Sequence, residues 1–263
     1  MNTSVERTLR HRVAELDAAH PWFDSDLDHF ADVMSEHTDT RAAAECGDGV
    51  GDPEAADRIV GGCRLLDVIA ERDADLVAGP LCLSRQHWTG TGREDVAPEP
   101  RLTPSKALFV PPETAQGDLL SAKPFDVGLF TSTCASEGRS MWRAYLDGYL
   151  GSDLFPLPWR TWHLRPGGGG IRVREITDAK SWVEFVAEYP RGDGGIVYPD
   201  WRRVGRDFAG VHMTLRAIAA TQGLCFPVSG GLTAAPYWDV ESTLWLRWVF
   251  GGDAVLQEVV EEE

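Results

Sequence analysis

The chain has no uninterrupted apolar run near the roughly 20 residues that a membrane-spanning helix requires, and its polar start, Met1 to Arg12, contains no apolar core of a secretion signal. These absences predict a cytoplasmic protein with no membrane partner. Cysteine is sparse and scattered: Cys46, Cys63, Cys82, Cys134 and Cys225 form no Cys-x-x-Cys pair. An odd, dispersed set argues against a disulfide framework and against structural zinc, and predicts buried or incidental thiols. Also missing are GxxxxGK[ST], GxGxxG after a strand, HExxH and GxSxG, so the common phosphate-loop, dinucleotide-fold, zinc-protease and hydrolase-elbow readings have no support. His11, His20, His29 and His37 are too widely spaced for one helical face, and no metal is expected.

Net positive charge is lacking too. Residues 1–100 carry 21 acidic against 9 basic side chains, whereas residues 101–257 are balanced before the terminal Glu258, Glu261, Glu262 and Glu263. A polyanionic front repels nucleic-acid phosphates, so non-specific nucleic-acid binding is not expected. It suits either a solvated helical surface or a basic protein partner for residues 1–75. What the chain does have is apolar mass: 263 residues, 43 % hydrophobic with ten tryptophans, are enough for a substantial core and too apolar for a disordered chain.

Val5, Leu9, Val13 and Leu16 follow a helical stripe behind Ser4, ending by Pro21, and a second helix is predicted from Ser25 to about His37. Cys46 to Asp52 reads as a loop; Asp52 and Pro53 then open a third helix bearing Ile59, Cys63, Leu66 and Ile69. From Leu76 the pattern changes. Leu76 to Trp88 reads as strand, Gly90 to Pro104 as loop, Ala107 to Val110 and Val127 to Thr133 as strands, and Met141 to Tyr149 as helix. Trp162 to Leu164 and Ile171 to Ile176 flank four glycines, Gly167 to Gly170, which predicts a hairpin. Ser181 and Glu184 form a capping box for a helix stopped by Pro190; Val211 to Arg216 alternates as a half-buried strand carrying His212, and Ser242 to Phe250 reads as the last strand. Irregular interleaving of this kind predicts an α+β domain over residues 76–263, with largely antiparallel sheets and flanking helices, preceded by an acidic helical region over 1–75.

Three segments are polar where a strand would otherwise be apolar: Ser84-Arg85-Gln86-His87-Trp88-Thr89, Phe130-Thr131-Ser132-Thr133 and Asp239-Val240-Glu241-Ser242-Thr243. In this order they resemble the arginine, serine and glutamate signature of ADP-ribosyltransferases, some of them toxins, over roughly residues 76–250. His87-Trp88-Thr89 also resembles the His-x-Thr/Ser of the histidine class of that family. Two departures are plain: Thr131-Ser132-Thr133 replaces Ser-Thr-Ser, and Asp239 replaces Glu or Gln, which leaves the acceptor class open.

The resemblance implies that NAD is consumed as a substrate and its ADP-ribose is passed to an unknown macromolecular or small-molecule acceptor, or to water as in an NAD glycohydrolase. Scission of the nicotinamide-ribose bond develops oxocarbenium character, which a carboxylate stabilises. Glu241 is the candidate, oriented by Ser132, with Arg85 or the pair His87 and Thr89 on the cofactor, beside Thr131, Thr133 and Asp239. Phe130, Trp142 and Tyr145 are candidates for a nicotinamide pocket. Ordinary roles fit the same residues: a satisfied core side chain for Arg85 or His87, β-propensity for the threonines, a strand-edge charge for Glu241. The rival function is a non-enzymatic acidic interaction protein, an inhibitor or assembly component.

Overall fold

Capping and apolar periodicity set the helices. Asp52 accepts from Glu54 N, with Pro53 in the first turn, and so starts α3 (Pro53–Val60); the chain turns at Gly61 and Gly62, and Cys63 becomes the N-cap of a separate helix α4 (Arg64–Ala78). The single helix expected across Ile59 to Ile69 is therefore two. The buried stripe of α4 continues through Leu76 and Val77 to Gly79, so the segment expected as strand from Leu76 is helical; a short 3-10 turn, Leu83–Arg85, follows, and strand β1 is Gln86–Thr91. The computed structural model describes residues 3–19, 23–38, 49–92, 103–125 and 127–261. His20, Pro21, Cys46, the 93–102 part of the loop, Glu262 and Glu263 lie outside the described residues.

Among the described residues are eight α-helices and eleven strands. Helices α1 (Thr3–Leu16) and α2 (Asp26–Thr38) precede α3; α5 (Met141–Asp147), α6 (Ala179–Glu188), α7 (Trp201–Asp207) and α8 (Leu215–Thr221) follow β1. Strands β2 (Leu129–Thr133), β3 (Trp159–Leu164), β4 (Val173–Ile176), β7 (Gly210–Met213), β10 (Ser242–Trp245) and β11 (Val255–Val260) join β1 in a sheet of order β11-β3-β1-β2-β10-β7-β4. A second sheet, β5-β6-β9-β8, is built from β5 (Pro190–Asp193), β6 (Ile196–Pro199), β8 (Cys225–Val228) and β9 (Gly231–Ala234). Among the described strands only β4 with β7 and β6 with β9 pair in parallel, beside an isolated parallel bridge between Val50 and Cys225. The architecture is α+β with antiparallel pairing dominant.

Five tryptophans, Trp159, Trp182, Trp201, Trp238 and Trp245, are fully buried, so this aromatic content is core. The core centres on α8, in which every residue but Arg216 is buried. Val5 and Leu9 of α1 and Leu66 and Ile69 of α4 belong to the same apolar cluster as Ala219 of α8 and Trp182 of α6. Arg12 places two N–H groups on Ala219 O and Gln222 O at the C-terminal end of α8, at 2.8 and 2.7 Å, where a cation suits the exposed carbonyls. The acidic helices thus share the core of the sheets, and the boundary expected at residues 75 and 76 falls inside α4.

Five further expectations change. The Ala107 to Val110 strand is a 3-10 turn, Lys106–Leu108, begun by Ser105 accepting from Ala107 N. β3 and β4 form no hairpin, because Gly167 packs against Gly251 and the chain crosses the sheet to set β4 parallel to β7 at its far edge. The capping box of α6 is made by Asp178 and Ser181, one turn earlier than Ser181 and Glu184. Thr214 caps α8 by accepting from Ala217 N, which stops β7 at Met213; all four β7 residues are buried. Cys225 is disulfide-bonded, contrary to the expectation of free thiols throughout, while Cys63, Cys82 and Cys134 are free. Among the described residues no helix is long and apolar enough to cross a membrane.

Candidate functional site

The register of β1, β2 and β10 decides which polar residues meet. Gln86 pairs with Thr133 and His87 with Ser132, and Thr243 pairs with Thr131 on one side and His212 on the other. Paired residues share a face and neighbours alternate. One face therefore carries Gln86, Thr131, Thr133, Thr243 and His212, and the opposite face carries His87, Thr89, Phe130 and Ser132.

The first face holds a buried network. Glu241, fully enclosed just before β10, accepts from Ser132 Oγ and Thr133 N through Oε2, both at 2.9 Å, and from Thr133 Oγ1 at 2.8 Å through Oε1. His212 Nε2 lies 2.9 Å from the same Oε1, and its Nδ1 lies 2.6 Å from Glu175 Oε2. Glu175 in turn accepts from Leu81 N at 3.0 Å. Donors directed at both Glu241 oxygens match an ionised, acceptor-only carboxylate. Burial alone would lower the affinity of His212 for its proton; bonds to Glu175 and Glu241 outweigh it and raise the pKa to about 9. Two carboxylates share one imidazolium, so the trio carries net negative charge just behind Ser132.

The second face opens into a cavity of about 330 Å³ lined by His87, Thr89, Lys123, Phe130, Ser132 and Trp142, among others. Its size and aromatic walls suit a small-molecule ligand. Two larger clefts, about 470 and 590 Å³, are lined mainly by charged and polar side chains; of the sequence-predicted candidates only Tyr145 reaches one of them, the 590 Å³ cleft. Burial, reinforced by nearby His163 and only partly offset by Glu258, lowers the His87 pKa to about 4, leaving a neutral imidazole at pH 7. Thr89 Oγ1 shares a 3.0 Å hydrogen bond with Thr161 Oγ1. Tyr145 stacks behind Trp142, with ring centroids 5.3 Å apart, instead of lining the cavity.

Ser132 joins the two faces: its hydroxyl lines the cavity and donates to Glu241, and it receives Trp142 N at 3.3 Å. Other expected site residues are held by structural partners, Thr131 while also lining the cavity. Arg85 lies outside the cavity lining, its guanidinium held by Asp73 at 2.7 Å and by Asp75 at 2.5 Å. Although burial opposes its charge, those bonds raise its pKa further. Asp73, at non-helical φ/ψ inside α4, also accepts from Ser136 N and Oγ, so this cluster ties α4 to the end of β2. The Thr131 hydroxyl donates to Gln86 and receives Trp245 Nε1, and Asp239 accepts from Gln222 Nε2. These bonds give Arg85, Thr131 and Asp239 structural partners.

Sequence reasoning missed Glu175 and Lys123. Glu175 is one charge on a short strand flanked by Arg174 and Ile176, with nothing local to mark its partner 37 residues away. Lys123 lies in the aperiodic stretch between the segments Ala107 to Val110 and Val127 to Thr133. No family model, no curated protein and no solved structure matches this chain.

Proposed function

We propose that this protein binds NAD in the cavity on the His87 face and transfers its ADP-ribose to an acceptor, with water as the simplest one. The observation that carries the reading is the Ser132 hydroxyl, which lines the cavity while donating to the enclosed Glu241 carboxylate. With Arg85 taken up by Asp73 and Asp75, the pair His87 and Thr89 is the better candidate for holding the nicotinamide ribose.

In this reaction the bond between ribose C1′ and the pyridinium nitrogen breaks and its electron pair leaves with nicotinamide. The positive charge passes to the ribose, the acceptor adds at C1′, and the acceptor's proton is released. A wall backed by the net negative charge of Glu175, His212 and Glu241 favours that cation electrostatically. The Ser132 oxygen, its hydrogen directed to Glu241 and one lone pair taken by Trp142 N, keeps one lone pair for a ribose hydroxyl.

Incubation with NAD tests the reading through nicotinamide release. The wild type is expected to release it, and Glu241→Gln to lose on the order of 100-fold or more in rate, as when one transition-state electrostatic partner is removed. His87→Ala, outside the buried trio, is expected to bind NAD more weakly while keeping the wild-type melting temperature. Absence of turnover in the folded wild type, or full turnover in both variants, refutes the enzyme and returns attention to an acidic interaction protein.

A further inference from the structure

Lys123 is the buried cation of the cavity, and no catalytic assignment above uses it. It is 9 % exposed, and its Nζ donates to Tyr237 O at 2.7 Å. The ammonium lies 4.9 Å from the centroid of Phe130, 5.3 Å from that of Trp238 and 5.8 Å from that of Phe125. Among the described residues no carboxylate lies within ion-pair distance of it. An ammonium has three N–H donors; one carbonyl satisfies one, and aromatic faces compensate the others only in part. A buried charge in that condition is costly unless an anion completes it.

We propose that Lys123 binds the phosphate of a nucleotide whose flat ring lies against the aromatic wall of the cavity. This rests on the cavity being the NAD site, but not on the reaction proposed there. Arg85, the other cation expected on the cofactor, is retained by its two aspartates, so the phosphate falls to a residue from the segment before β2. Burial, partly offset by Asp239, lowers the Lys123 pKa to about 8. An arriving phosphate would restore the charged form. The other titratable group lining the cavity, His87, is neutral over the range in which Lys123 loses its proton.

Nicotinamide mononucleotide and nicotinamide riboside differ only by the phosphate, and calorimetric titration of each into the full chain isolates the contribution of Lys123. At pH 7 the mononucleotide is expected to bind at least about tenfold more tightly, the scale of one charge-assisted hydrogen bond. Lys123→Met should abolish that preference while leaving riboside binding unchanged, and Lys123→Arg should retain part of it. In the wild type the preference should decline as pH rises through about 8, with riboside binding as the internal control. Equal affinities in the wild type, no binding of the mononucleotide, or an undiminished preference in folded Lys123→Met would each overturn the proposal. Nicotinamide release that persists alongside such a result would leave the enzyme reading standing and remove only the role of Lys123.

Discussion

Glu241→Ala is expected to lower the urea midpoint sharply, with a stability loss of about 3–5 kcal/mol, the range for breaking a buried ion pair by removing one partner. The substitution strips the acceptor from His212 Nε2, Ser132 Oγ, Thr133 N and Thr133 Oγ1 at once. Each is buried, so none recovers its hydrogen bond from bulk water. The same trio predicts a pH dependence. His212 binds its proton more tightly folded, with a pKa of about 9, than at its ordinary value of 6.5. Its contribution is complete below pH 6.5 and lost as pH rises through about 9. Lys123 acts oppositely, its lowered pKa adding stability from about pH 8 upward, and the lowered His87 pKa acts between about 4 and 6.5. The clean window is pH 6.5 to 8, where the wild-type urea midpoint should fall; a flat midpoint there would contradict a charged, doubly bonded His212.

Gly128→Ala is expected to cost about 2–4 kcal/mol, combining overpacking with a left-handed backbone forced on an L side chain. Gly128 has φ +72° at the entry to β2. A Cβ there would collide with the carbonyl oxygen of Trp245 and approach Leu244 Cδ1 to 2.7 Å. The Trp245 carbonyl cannot yield cheaply, since it is backbone of β10, the strand that follows Glu241. Thermal unfolding should show a lowered midpoint. Because Gly128 also lines the cavity, weakened binding of nicotinamide mononucleotide should accompany it. Unchanged stability would mean that the β2–β10 approach is looser than these distances imply.

The sequence made the helices legible where caps and apolar stripes agreed, as with Asp52, Pro53 and the buried side of α3. The three-segment resemblance also implied that Ser132 orients Glu241, and the two side chains do hydrogen-bond. The sequence misled where tertiary geometry overrides local pattern. Four glycines resemble a turn, yet here they let Gly167 pass against Gly251 on the way to a parallel pairing. Val211, Met213 and Leu215 alternate as a strand would, but Thr214 ends that strand by capping a helix. Arg85 looked available for a ligand because Asp73 and Asp75 sit on a preceding helix whose kink is invisible in composition. Edge strand β11 went unrecognised because its Val255, Leu256 and Val259 are exposed, so no buried face marks it.

The Glu175, His212 and Glu241 contacts join chain segments 37 and 29 residues apart, and they form only when β4, β7 and the start of β10 are aligned. Sliding β7 by one position would turn His212 to the other side and leave the enclosed Glu241 and the half-buried Glu175 without their shared cation. The trio therefore acts as a checksum on strand alignment: misthreaded versions of this half of the sheet carry an electrostatic penalty that apolar residues alone would not impose.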